Sequence, residues 1–139
     1  MGEAVSLSLT RRHEVARALR AFLPARAVLF EEEDTRPYEC DGLTAYRQLP
    51  MVVALPETEE QVRRVLQLCS SMNVPVVPRG AGTGLSGGAL PSGDGVLLSM
   101  AKFMRVLRVD PRARLAVVQP GVRSPGRRRS AHRSPACCA

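Results

Sequence analysis

The chain has 139 residues, 45% of them hydrophobic but only 4% aromatic, with no tryptophan. That length suits one domain or part of one, built on an aliphatic core. The net charge of +7 is uneven: residues 122–139 hold Arg123, Arg127, Arg128, Arg129 and Arg133 and no acid, leaving 15 basic against 13 acidic groups elsewhere. The near balance argues against a nucleic-acid surface, and no apolar run approaches the roughly 18 residues of a membrane span.

No secretory leader is legible at the N-terminus, and the match of Gly2 and Ser6 to a myristoylation pattern is too short to distinguish from chance. Cys40, Cys69, Cys137 and Cys138 lack the spacing of a disulfide framework or a zinc site. A reducing, cytoplasmic setting without a bound metal is therefore expected.

Helical spacing runs from about Thr10 to Leu23, with Val15, Ala18, Leu19 and Phe22 on one face, and Pro24 ends it. Ala27 to Phe30 reads as a short strand. The acidic run Glu31 to Asp34 reads as a solvated loop; consecutive carboxylates seldom converge on one metal ion. Met51 to Leu55 is a strand closed by Pro56. Thr58 and Gln61 then form a capping box, followed by Val62, Val65, Leu66, Cys69 and Met72 along one buried face. Asn73 suits a left-handed cap, and a buried strand follows at 75–78. Strand, helix and strand with short joints make a βαβ unit with parallel strands. Further strands are expected near 95–100, 104–109 and 114–119.

The densest signal lies between two of these strands. Gly80, Gly82, Gly84, Gly87 and Gly88 fall within nine positions, interrupted by Arg79, Thr83 and Leu85. Glycine admits close approach of a ligand to the main chain, and successive N–H groups in such a loop form a nest for phosphate. A flexible linker is the plain alternative. A P-loop is excluded because the loop has no lysine. A dinucleotide fingerprint fits Gly82, Gly84 and Gly87, with Asp110 as the ribose acid, but it must open a helix. Gly88 to Gly95 contains Pro91 and Gly93, which disfavour one.

The run Pro78 to Ala89 resembles the FAD diphosphate loop of the FAD-binding PCMH-type (vanillyl-alcohol oxidase) flavoproteins. The likeness extends through Pro37-Tyr38-Glu39-Cys40-Asp41-Gly42-Leu43, Pro50 to Gln61, Gly95 to Ala101 and Val118 to Arg123. Within that family the branch it is most similar to is the flavin subunit of bacterial glycolate oxidase. The resemblance implies an α/β (α+β) fold: an N-terminal helix over 1–24 and the N-terminal portion of a FAD-binding domain over 25–123. It implies FAD, held by backbone amides from Arg79 through Gly80, Ala81, Gly82, Thr83, Gly84 and Leu85, with Gly88 and Ala89. Pro78 leads into the loop, Thr83 and Ser86 would add hydroxyl contacts, and Gly121 would approach the cofactor. Arg79 would either balance phosphate charge or pair with a loop carbonyl. Tyr38 and Asp41 would brace the loop.

The resemblance further implies oxidation of a small 2-hydroxy acid, glycolate or D-lactate, in the complete protein. Electrons would pass to partner subunits including an iron–sulfur protein, which would also place the protein peripherally at the inner membrane. With His13 and His132 as the only histidines, the FAD is expected to be non-covalent. The family's catalytic and substrate-binding residues fall in a portion this sequence does not contain, so the segment alone is expected to be inactive. Residues 124–139 have no apolar periodicity and read as a disordered basic tail, of a composition that an out-of-frame GC-rich gene would give. The alternative function is a stand-alone nucleotide- or anion-binding module without redox activity.

Overall fold

The computed structural model describes residues 2–123, with the backbone alone over 2–8. The tail over 124–139, with His132, Cys137 and Cys138, lies outside the described residues. The elements are α1 (Gly2–Arg20), β1 (Val28–Leu29), α2 (Glu32–Thr35), β2 (Val52–Ala54), α3 (Glu59–Ser71), β3 (Val76–Arg79), β4 (Val96–Ser99), β5 (Val106–Asp110) and β6 (Leu115–Val118). Helix α1 thus begins well before Thr10, and Leu23 reaches the core from the turn that follows it.

Four strands form one sheet in the order β1-β2-β4-β3. Strand β1 runs antiparallel to β2, whereas β2 and β3 both pair in parallel with β4. The βαβ reading is therefore right in direction, but β4 inserts between its two strands. The insertion leaves β3 as an edge strand with Val76 and Val77 half-buried and Pro78 exposed, not the buried strand expected. Proline is tolerated there because an edge strand has unpaired backbone groups on one side.

Val15, Ala16 and Leu19 of α1, Val65 and Cys69 of α3, and Val52, Ala54, Val96 and Leu98 of the sheet share one core. Val53 and Leu97 alternate onto the opposite face and are also buried. Central strands covered on both faces explain the continuous apolar run Val96-Leu97-Leu98. Burial pushes the Cys69 thiol up to about 11, which suits a packing residue and not a nucleophile.

Local signals account for the ends of α3. Thr58 Oγ1 accepts from Gln61 N at 3.2 Å, as a capping residue should. Gln61 Oε1 accepts from Glu57 N at 2.7 Å, one residue earlier than a standard capping box. At the other end Asn73 has φ 51°, Val74 N donates to Cys69 O at 2.8 Å and Asn73 N to Ser70 O at 3.2 Å. That pair of bonds is a Schellman motif, with asparagine in the usual glycine position. Thr58→Ala is expected to cost about 1 kcal/mol in thermal unfolding.

Two expectations fail on the helices. The acidic run is no loop: Glu32–Thr35 makes a helical turn, with Thr35 Oγ1 donating to Glu31 O at 3.1 Å. Among the described residues no group of three or more potential ligands gathers for a metal. Leu66 is 46% exposed, and Leu68 packs against the core instead.

Strands β5 and β6 form a separate antiparallel hairpin with an irregularity between Val106 and Arg108. Asp110 Oδ1 accepts from Ala113 N at 3.0 Å, and Arg114 takes φ 52°, which together close its turn. Among the described residues no helix is long and apolar enough to cross a membrane.

Candidate cofactor site

The glycine loop leaves the end of β3 and runs to β4 without an intervening helix. A dinucleotide fingerprint requires a helix at that point, and Asp110 is occupied at the hairpin turn, where Arg108 Nη2 also donates to it at 3.1 Å. The dinucleotide reading therefore fails for want of that helix.

Three segments far apart in sequence converge on the loop. At its entrance, Met100 N donates to Arg79 O at 2.8 Å, which anchors the end of β3 beside the end of β4. A Cβ placed on Gly80 would lie 2.6 Å from Pro120 O, so the chain after β6 passes directly against the loop's first glycine. Gly121 N donates to Phe103 O at 2.9 Å. A Cβ on Gly121 would meet Met100 O, and Phe103 O at 2.8 Å. Close backbone packing accounts for that glycine without any ligand.

The third segment is the block at 37–48. Gln48 N donates to Glu39 O at 2.8 Å and Arg47 Nη1 pairs with Glu39 Oε1 at 2.9 Å, closing it into a compact loop. Inside it, Asp41 Oδ1 accepts from Leu43 N at 2.8 Å, an Asx turn. This turn presents Gly42 to the glycine loop, where a Cβ would stand 2.6 Å from Gly84 O. Leu43 Cδ2 lies 3.9 Å from the position a Cβ would take on Gly87. The block meets the glycine loop through Gly42 and Leu43, and Asp41 shapes the turn that carries them.

Arg79 is 6% exposed. Its Nη2 and Nε both donate to Ala89 O, at 2.7 and 3.2 Å, so its fork ties the start of the loop to its end. Of its two expected roles, the loop-carbonyl pairing is the one found. Burial lowers the Arg79 pKa from its ordinary value, while Asp41, Cys40 and Tyr38 act to raise it. Arginine stays protonated under either influence.

Gly82 and Gly87 adopt φ +69° and +71°, a region that disfavours any side chain. Gly84 and Gly88 differ. Neither has a left-handed φ, and a Cβ on either would meet nothing within 4 Å. Thr83, Gly84, Leu85, Ser86 and Gly88 are exposed along the outer rim, whereas Gly80, Ala81, Gly82 and Ala89 are half-buried beneath it and Pro78 is exposed on β3.

The sequence matches a family described as FAD binding domain over residues 50–129. The chain belongs to this family. It is 54% identical over 113 residues to the glycolate oxidase subunit GlcD of Escherichia coli strain K12, covering 81% of this chain and 23% of that protein. With D-lactate dehydrogenase of Archaeoglobus fulgidus it shares 38% identity over 110 residues, 78% of this chain and 23% of that one. The structure of p-cresol methylhydroxylase with substrate bound superposes at a TM-score of 0.76 and 21% identity, covering 91% of this chain and 25% of its own. This is the PCMH-type fold that the sequence implied. The chain spans about a quarter of the length of these proteins.

FAD is the cofactor of this domain family, and two features of the loop fit it. The open glycines, Gly84 and Gly88, are needed by neither backbone conformation nor internal packing. Close approach of a bound group to the main chain is the remaining physical use for glycine there. The loop is also held on three sides before any ligand arrives, which lowers the ordering cost of binding.

Proposed function

We propose that this chain holds the diphosphate of FAD for a flavin-dependent 2-hydroxy-acid dehydrogenase or oxidase acting on glycolate or D-lactate. The observation that carries the reading is the braced glycine loop with its open Gly84 and Gly88, in a chain similar to both a glycolate oxidase subunit and a D-lactate dehydrogenase. Main-chain amides from Arg79 to Leu85, with Gly88 and Ala89, bind the diphosphate. Thr83 and Ser86 offer hydroxyls from the rim, and Gly121 sets the strand end beside the loop. FAD, when bound, supplies two-electron redox chemistry.

Attachment is non-covalent. The one histidine among the described residues, His13, packs edge-on against Phe30 with ring centroids 5.3 Å apart, on α1. This chain spans about a quarter of the length of the relatives; substrate handling belongs to other parts of the longer protein, and this segment alone does not turn over substrate. Electrons leave through partner subunits, an iron–sulfur protein among them, on the cytoplasmic side of the membrane.

A chimera tests the reading. The matched 113-residue segment of E. coli GlcD is replaced by that of this chain, and the purified product is examined for bound flavin and its reduction by glycolate and D-lactate. Bound flavin that one of these acids bleaches is the expected result. A folded chimera without flavin contradicts the assignment. Saturable ADP or diphosphate binding without flavin would turn the reading towards an anion-binding module.

A further inference from the structure

One buried side chain meets the glycine loop at two separate points. Arg79 ends β3, and its own carbonyl is fixed by Met100 N at 2.8 Å. Its stem lies against Gly82, where a Cβ would stand 3.5 Å from Arg79 Cδ and 3.8 Å from Cγ. Its fork ends on Ala89 O, which accepts from both Nη2 and Nε. The N–H of that same peptide group belongs to Leu90, and it donates to Gly87 O at 3.1 Å, closing a turn over 87–90. The Ala89–Leu90 peptide is therefore held from both sides. The turn it closes carries the amides of Gly88 and Ala89, and Gly87 enters that turn with φ +71°.

We propose that the Arg79 side chain is a positioning residue whose fork, and not whose charge, sets the loop's affinity for the diphosphate. It holds the 87–90 turn and supports Gly82 before FAD arrives, so the ligand meets amides already aimed. A site set in shape beforehand loses less free energy to ordering when it binds. The inference rests on the FAD reading for its ligand, but the shaping of the loop does not. It departs from the expectation that Arg79 balances phosphate charge. The guanidinium is buried, and turning it towards a phosphate would release Ala89 O and with it the turn. Lysine provides the test, because it keeps the charge but lacks the planar fork.

Arg79→Lys and Arg79→Met are compared with the parent chain by calorimetric titration with FAD and by amide hydrogen exchange at Leu90. In the parent, Leu90 N–H is expected to be protected without ligand and little changed by FAD. Both variants are expected to lose that protection, to bind FAD about tenfold or more weakly, and to stay within about threefold of each other. Lysine binding more than threefold tighter than methionine, with Leu90 unprotected in both, would show the charge acting on the ligand and overturn the proposal. A variant that loses the protection yet binds as the parent does overturns it as well. The parent alone gives a further check that stands even where a variant fails to fold. Leu90 exchanging freely there until FAD is added would mean that Arg79 does not preset the turn. If the parent binds no FAD, the functional reading falls, and the loss of Leu90 protection in the variants alone decides the shaping of the loop.

Discussion

Valine at Gly84 is expected to abolish FAD binding at ordinary cofactor concentrations while leaving thermal unfolding unchanged. Gly84 lies on the exposed rim, without a left-handed φ and with open space where a side chain would project. Exposed substitutions away from caps and strained positions seldom move stability by more than about 0.5 kcal/mol. A branched side chain there stands between the bound group and the main-chain amides. Affinity should fall by about a hundredfold, roughly 2.7 kcal/mol. Calorimetric titration with FAD and a thermal scan check the two halves separately. A variant that binds FAD as the parent does would show that the open side of Gly84 faces no ligand.

Alanine at Gly42 is expected to lower both stability and FAD affinity. Its Cβ would stand 2.6 Å from Gly84 O and 3.0 Å from the Thr83 carbonyl carbon and oxygen. These are backbone atoms and cannot turn aside as a flexible side chain would. Either the Asx turn at Asp41 or the loop at 83–84 must move. Overpacking of this kind costs about 1–3 kcal/mol, and the shift reaches the amides that bind the diphosphate. The contrast with Gly84→Val is the informative part: one glycine serves the ligand, the other serves the fit between two loops. Loss of stability without loss of affinity in Gly42→Ala would mean that the block at 37–48 does not set the loop's shape.

Much of this was legible in the sequence, for identifiable reasons. Thr58 and Asn73 mark the ends of α3 because side-chain caps and left-handed turns are local chemistry, decided within a few residues. The absence of a helix after the glycine loop followed from Pro91 and Gly93. What the sequence hid is mostly non-local. Nothing near Val76 announces that β4 will insert between β2 and β3, which makes β3 an edge. Leu66 and Leu68 both fit a helical apolar stripe, and only the neighbours in the fold decide which is buried. Gly42 and Gly121 gave no sign that each packs on a distant carbonyl, although glycines beside Asp41 and Pro120 invited the question. The role of Arg79 stayed open because a loop carbonyl and a phosphate are both acceptors, and the choice depends on where Ala89 comes to rest.

The central claim is that the loop between β3 and β4 holds the diphosphate of FAD through its main-chain amides. Amide-resolved NMR of the chain, titrated in turn with FAD, ADP and FMN, tests it most directly. FAD and ADP are expected to give saturable shifts concentrated over residues 79–89, with Gly121 moving beside them, while FMN, which lacks the diphosphate, binds far more weakly. FAD binding that leaves the amides of 79–89 unmoved, or FMN binding as tight as FAD binding, would contradict the account.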